Sequence, residues 1–175
     1  AYVSLTSFTQ EPYYKSFILP IPDNFSNGSF YNLPLDEFVQ NIDNALEKGY
    51  TLALDCDVSE ATFSGRFGVA VIPADDADSK TILTEIKPEK EITAEYRQQE
   101  FENLTTQDDH LMHIVGKVKD QKGNVYYKVK NSWGKTSGHD GFVYMSVPYL
   151  KLKAISVLVH QDALTPATKK ALGLY

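Results

Sequence analysis

Apolar residues recur with a helical period in one part of the chain, residues 35–48. The stripe in residues 35–48 follows Pro34 and stops before Gly49, which are favoured residues just before and just after a helix. Residues 93–104 are predicted to form a second helix, because the Thr93 hydroxyl can accept a backbone N–H at the first turn.

Much of the remaining chain is predicted to form strands, and the 11 Tyr and 9 Phe favour a β-rich core. Five strands are predicted, at residues 50–55, 111–119, 125–130, 141–147 and 155–160. The second and third flank a turn-forming segment and are expected to pair as a hairpin. A short last helix is predicted between Thr165 and Gly173, whereas residues 11–34 and 57–92 are expected to be loops. This order of elements indicates an α+β fold, and the length predicts one domain over 1–175.

Composition and charge argue against several classes of protein. Hydrophobic residues make up 42% and charged residues 23% of the 175 positions, as in an ordinary globular protein. The net charge of −6 argues against a general nucleic-acid binder. No apolar run approaches the roughly 18 residues of a membrane helix, and no signal peptide pattern is present. The chain starts without Met inside an apparent strand, which we interpret as a processed or truncated start.

The single cysteine, Cys56, is the first candidate nucleophile. A reactive thiol needs a lowered pKa, usually from a nearby cation or a helix N-terminus. Cys56 instead lies between Asp55 and Asp57 at the end of a predicted strand, and both carboxylates disfavour the thiolate. We therefore expect Cys56 to be a partly buried, unreactive thiol.

Histidines suggest a second kind of chemistry. Asp109, His110 and His113 resemble a set of metal ligands, which would make the protein a metal hydrolase. The apolar run in residues 114–118 favours a strand, however, and on a strand His110 and His113 point to opposite faces. The strand interpretation therefore predicts no metal site.

The predicted hairpin brings His110, near the start of its first strand, towards Asn131 at the end of its second. An imidazole beside a carboxamide is two thirds of a Cys-His-Asn catalytic group, in which the amide oxygen fixes the tautomer of the imidazole. Trp133 is placed to cover that hydrogen bond. A polar hairpin end with an aromatic lid explains the same residues, and spacing alone leaves both interpretations open.

The motif around this pair resembles that of papain-like cysteine peptidases. A histidine is followed by an apolar strand, a glycine and then the pattern N-S-W-G-x-x-x-G-x-x-G-aromatic. The segments YNLPLDEFVQNIDNALEKGY, CDVSE, DDHLMHIVGKV and YYKVKNSWG are similar to the C-terminal half of the bleomycin hydrolase and aminopeptidase C branch. The residues that carry the pattern are His110, Gly116, Asn131, Ser132, Trp133, Gly134, Gly138, Gly141 and Phe142.

The resemblance implies an α+β, papain-like C-terminal domain with a barrel-like antiparallel sheet, acting on peptides without metal or cofactor. His110 would be the base and acid, Asn131 would orient it and Trp133 would shield the pair. Asp55 and Cys56 would line a substrate pocket, with the nucleophile on another cysteine.

The resemblance also implies that part of the enzyme is missing. The nucleophilic cysteine of papain-like enzymes lies about 130–150 residues before the histidine, which is beyond the first residue of this chain. The chain alone is therefore expected to be inactive, with its partner an N-terminal half carrying that cysteine. Residues 161–175 would be a tail in the cleft, where the Tyr175 carboxylate meets the substrate N-terminus. The whole enzyme would be a cytoplasmic homo-oligomer, with an exported form left open; the alternative is a non-catalytic module that binds peptides or a partner.

Overall fold

The computed structural model describes residues 1–18, 29–103, 109–131 and 140–174. Within these ranges ten strands form one mostly antiparallel sheet. The strands are β1 (Tyr2–Thr6), β2 (Ser16–Phe17), β3 (Phe30–Asn32), β4 (Leu52–Asp57), β5 (Phe63–Ser64), β6 (Val69–Ala70), β7 (Asp109–Lys119), β8 (Val125–Lys130), β9 (Phe142–Ser146) and β10 (Ala154–His160). Their spatial order is β2-β3-β1-β10-β4-β7-β8-β9-β6-β5. The predicted α+β class is confirmed.

Four α-helices accompany the sheet in the described part of the chain. They are α1 (Leu35–Glu47), α2 (Ala94–Glu102), α3 (Val147–Lys153) and α4 (Pro166–Leu172). The predicted signals at three of them are confirmed. The Thr93 hydroxyl accepts the backbone N–H of Tyr96 at 3.1 Å and caps α2. Gly49 and Gly173 follow α1 and α4 with φ of +83° and +71°, a conformation that favours glycine.

Two features of the fold differ from the sequence prediction. Helix α3 was not predicted; it begins after Ser146, whose hydroxyl oxygen accepts the Tyr149 N–H at 3.2 Å, and Pro148 fits its first turn. The expectation that residues 11–34 and 57–92 are only loops was wrong, because they contribute β2, β3, β5 and β6. Strands of two or three residues have no readable period, and pairing with distant strands decides their conformation.

A bulge sets the register of the β7–β8 hairpin and its contact with α1. The pairing shifts between Ile114 and Gly116, and beyond that point Lys117 lies opposite Tyr127. Both side chains reach Asp43 of α1: the Tyr127 hydroxyl donates to its carboxylate at 2.7 Å and the Lys117 ammonium lies 3.3 Å away. The helix is thereby fixed to the hairpin.

Different positions of α1 hold the C-terminal segment. The Asn41 amide oxygen accepts the backbone N–H of Thr165 at 2.9 Å, and its amide nitrogen donates to the Thr168 hydroxyl at 2.8 Å. The Asn44 amide nitrogen donates to the carbonyl of Ala163 at 2.7 Å. Polar side chains of one helix therefore determine where α4 lies.

Arg97 of α2 is a buried cation that connects several elements, with 1% of its surface exposed. Its guanidinium donates to three backbone carbonyls, those of Ser7, Lys151 and Ile155, at 2.8, 3.0 and 3.5 Å. Three aromatic rings surround it, those of Phe8, Phe38 and Phe101, at 5.4, 5.7 and 4.8 Å. Burial lowers the pKa of Arg97 to about 9, which leaves it protonated at neutral pH.

We expect Arg97→Met to destabilise the chain by about 3 kcal/mol, because it removes three hydrogen bonds, two of them buried, and leaves the Ser7 and Lys151 carbonyls without this donor. Urea unfolding measures this free energy. The control is Arg66→Met at the exposed guanidinium that lies 5.2 Å from the Phe67 ring, which we expect to cost less than about 0.5 kcal/mol. Equal effects of the two substitutions would contradict the role of Arg97.

Candidate active site

Adjacent strands position the predicted pair. In the antiparallel pairing of β7 with β8, His113 lies opposite Lys130. Extending that register by one residue places Met112 opposite Asn131, and His110 then lies diagonally across from Asn131 on the same face. Met112 on that face is buried and His110 is half-buried. The pair therefore lies where the core reaches the open end of the hairpin.

The side chains of the pair are in contact. Nε2 of His110 lies 3.2 Å from Oδ1 of Asn131, the approach that the hairpin spacing predicted. A carboxamide oxygen only accepts hydrogen bonds, so this geometry assigns the proton of a neutral imidazole to Nε2. Asn131 thereby selects the tautomer in which Nδ1 is the basic nitrogen.

Asn131 is held firmly by its surroundings. It is 5% exposed, and its backbone N–H donates to the carbonyl of Gly141 at 2.9 Å. Asp140 and Gly141 have φ of +57° and +86°. This left-handed conformation favours glycine, which is the residue present at position 141. The amide nitrogen of Asn131 is buried and has no hydrogen-bond partner among the described residues. Trp133 and Tyr175 lie outside those residues, so their roles stay predictions.

Asp55 and Cys56 are both inside the protein. Their exposed fractions are 1% and 0%, so neither offers surface to a ligand, and their placement gives no support to the predicted substrate pocket. Burial raises the pKa of the Cys56 thiol well above its ordinary value, and the charges of Asp57 and Asp55 add to the rise. The expectation of an unreactive thiol is supported, although burial contributes more than the carboxylates on which it was based.

The metal-ligand interpretation finds no support in the placement of its histidines. His113 is exposed and lies opposite Ala53, on the face of β7 away from His110. Among the residues that the structure describes, no group of three or more His, Cys, Asp or Glu side chains could hold a metal ion. Asp109 was the third residue of the predicted ligand set, and its side chain lies outside what the structure describes.

The sequence did not predict the buried cluster of charged side chains at the end of β4, where Asp57 lies. Lys153 is fully buried, and its ammonium is closest to the carboxylate of Glu60, at 2.7 Å. The signal was a lysine inside the mostly apolar run from Leu152 to Val159, where a single charge must find a partner.

The profile of the Peptidase C1-like family matches residues 1–173. The chain belongs to this family. A likeness to the crystal structure of PepW from Lactobacillus rhamnosis HN001 agrees in fold, with a TM-score of 0.72 at 17% identity over 98% of this chain and 38% of that one.

Named relatives of this Peptidase C1-like chain are aminopeptidases. Aminopeptidase G of Lactobacillus delbrueckii subsp. lactis is 30% identical over 98% of this chain and 38% of its own length. Aminopeptidase C of Lactococcus lactis subsp. lactis (strain IL1403) is 29% identical over 89% of this chain and 34% of its own length. The chain thus spans little more than a third of the length of the relatives that it matches.

No helix in the described part of the chain is long and apolar enough to cross a membrane.

We expect Cys56 to react with iodoacetamide far more slowly than free cysteine at neutral pH, because the thiol is buried and its pKa is raised. Intact-mass spectrometry measures the modified fraction over time. The same chain in concentrated urea is the control, since unfolding exposes the only thiol and restores ordinary reactivity. Rapid labelling of the folded chain at pH 6 would restore Cys56 as a candidate nucleophile.

Proposed function

We propose that this chain is the C-terminal half of a cysteine aminopeptidase and carries its catalytic base. The observation that carries the proposal is the 3.2 Å contact between His110 Nε2 and Asn131 Oδ1 in a chain of the Peptidase C1-like family. The aminopeptidase names of two relatives support the substrate class, a peptide with a free N-terminus.

The role of His110 follows from the tautomer that Asn131 selects. Nδ1 takes the proton of a cysteine thiol, and the thiolate attacks the carbonyl carbon of the scissile peptide bond. The imidazolium then donates that proton from Nδ1 to the leaving amine as the acyl-enzyme forms. Throughout, the Asn131 carbonyl oxygen accepts the Nε2–H, so the ring keeps its orientation in both charge states. By the same resemblance Trp133, which lies outside the described residues, would shield this hydrogen bond from water.

The nucleophile of this reaction lies on a missing N-terminal part. Cys56 is the only cysteine of the chain and is 0% exposed, which supports a thiol from elsewhere. The chain's share of its relatives' length, 34–38%, leaves room for such a part.

The proposal extends to the domain organisation and the assembly of the enzyme. Residues 1–175 form one domain, and residues 161–175 are its tail, which enters the cleft in the whole enzyme. The segment's attachment to α1 through Asn41 and Asn44 supports a fixed path for this tail. The whole enzyme is a cytoplasmic homo-oligomer by the same resemblance.

We expect the 175-residue chain alone to hydrolyse no aminoacyl amide, because a base without its nucleophile cannot form the covalent intermediate. Adding the separately expressed upstream part of the same protein should give turnover of a fluorogenic aminoacyl amide. His110→Ala should then lower kcat by at least about a hundredfold. The matched control is His113→Ala, at an exposed histidine of the same strand, which should leave kcat unchanged.

Two results would contradict the proposal. Thiol-dependent turnover by the chain alone that survives His110→Ala would place the chemistry elsewhere. Tight binding of peptides by the assembled protein without any turnover would favour the alternative, a non-catalytic papain-like binding module.

A further inference from the structure

Lys153, the last residue of α3, lies among carboxylates in the interior. Its ammonium is fully buried and lies 2.7 Å from Glu60, 3.5 Å from Glu100 and 3.8 Å from Asp57. Asp57 is also fully buried, whereas the side chains of Glu60 and Glu100 keep 33% and 17% of their surface exposed. Removing the cation would leave the Asp57 carboxylate buried beside two further acids, which is strongly unfavourable.

Asp57 connects this cluster to the strand of His110. It is the last residue of β4 and pairs with Asp109, the residue before His110. The next pair along, Cys56 and His110, is part of the same ladder. The buried hydroxyl of Tyr149, also on α3, donates to the Asp57 carbonyl at 2.7 Å. Two side chains of α3 thus hold both the main chain and the side chain at the end of β4.

Glu100 connects the cluster to the helix that precedes the same strand. It lies in the last turn of α2, which ends at Glu102, and β7 begins at Asp109. The cluster therefore joins the strand beside His110 and the helix before it to one buried ammonium. Burial by itself lowers the pKa of Lys153, but its hydrogen bond to Glu60 and the surrounding carboxylates outweigh that effect and raise the pKa. The ammonium is thus charged at neutral pH.

We propose that Lys153 is a positioning residue for His110, since it fixes the end of β4 and the end of α2 between which the strand of His110 starts. The effect of Lys153 on catalysis rests on the proposed function. Its effect on the placement of His110 concerns the described residues alone. Loss of the Lys153 charge shifts the end of β4 and, through the ladder, the contact of His110 with Asn131.

The test compares Lys153→Met with Lys151→Met, which removes the same charge from the same turn of α3 at a half-buried side chain outside the cluster. Proton–nitrogen NMR spectra of the 175-residue chain resolve the Asn131 side-chain amide and the His110 ring. We expect Lys153→Met to move both sets of signals and Lys151→Met to leave them in place. In the assembled enzyme, Lys153→Met should lower kcat about tenfold with KM unchanged, as expected for a misplaced catalytic group.

A folded Lys153→Met chain with unchanged His110 and Asn131 signals would overturn the proposal, because the cluster would then only stabilise the fold. If Lys153→Met does not fold, Glu60→Gln removes the shortest ion pair at a one-third exposed side chain and should move the same signals by less. Unmoved signals in that variant would overturn the proposal as well. An inactive wild-type assembly would count against the proposed function, whereas the spectra decide the positioning role by themselves.

Discussion

The register of the β7–β8 hairpin is the constraint on which the rest of this structure depends. One bulge, between Ile114 and Gly116, allows the two ends of the hairpin to meet different requirements. Near the tip it places Lys117 beside Tyr127, so that α1 can bind both through one carboxylate. At the open end the unshifted register leaves a histidine diagonal to an asparagine. A slip of one residue would turn one member of that pair to the other face.

Buried positive charges are satisfied in two different ways in this protein. Arg97 is satisfied by backbone carbonyls and aromatic rings, so it joins main-chain segments without a buried anion among its observed contacts. Lys153 is satisfied by carboxylates, so it joins side chains of α2, β4 and the Glu60 loop. Both are costly to bury, and removing either one leaves polar partners without it in the interior.

The sequence predicted the features that depend on residues close together in the chain. The start of α2 at Thr93, the stop at Gly49 and the approach of His110 to Asn131 each follow from local spacing. The short strands depend on distant partners, so no local pattern indicated them. The burial of Cys56 was underestimated for the same reason, because it depends on how several elements pack over β4. Helix α3 does carry local start signals, the Ser146 cap and Pro148 in its first turn, which the sequence prediction missed.

The site shows the same division between local and distant information. The pair itself was visible in the sequence, because a hairpin of known length brings its two ends together. The support behind it was not, because Lys153, Glu60 and Asp57 meet only in the folded chain. A lysine in a mostly apolar run indicates that its charge has a partner in the fold, but the run does not identify that partner.

Helix α1 has a consequence for how this chain can vary. It is bound to the hairpin through Asp43 and to the C-terminal segment through Asn41 and Asn44, which are separate positions on a rigid rod. Because an α-helix rises about 1.5 Å per residue, the offset between the His110 hairpin and α4 is fixed by the helix rather than by a flexible loop. An insertion or deletion between those positions would rotate one attachment relative to the other. All three positions lie within one turn of α1, so a residue inserted or deleted elsewhere in the helix would leave this offset unchanged.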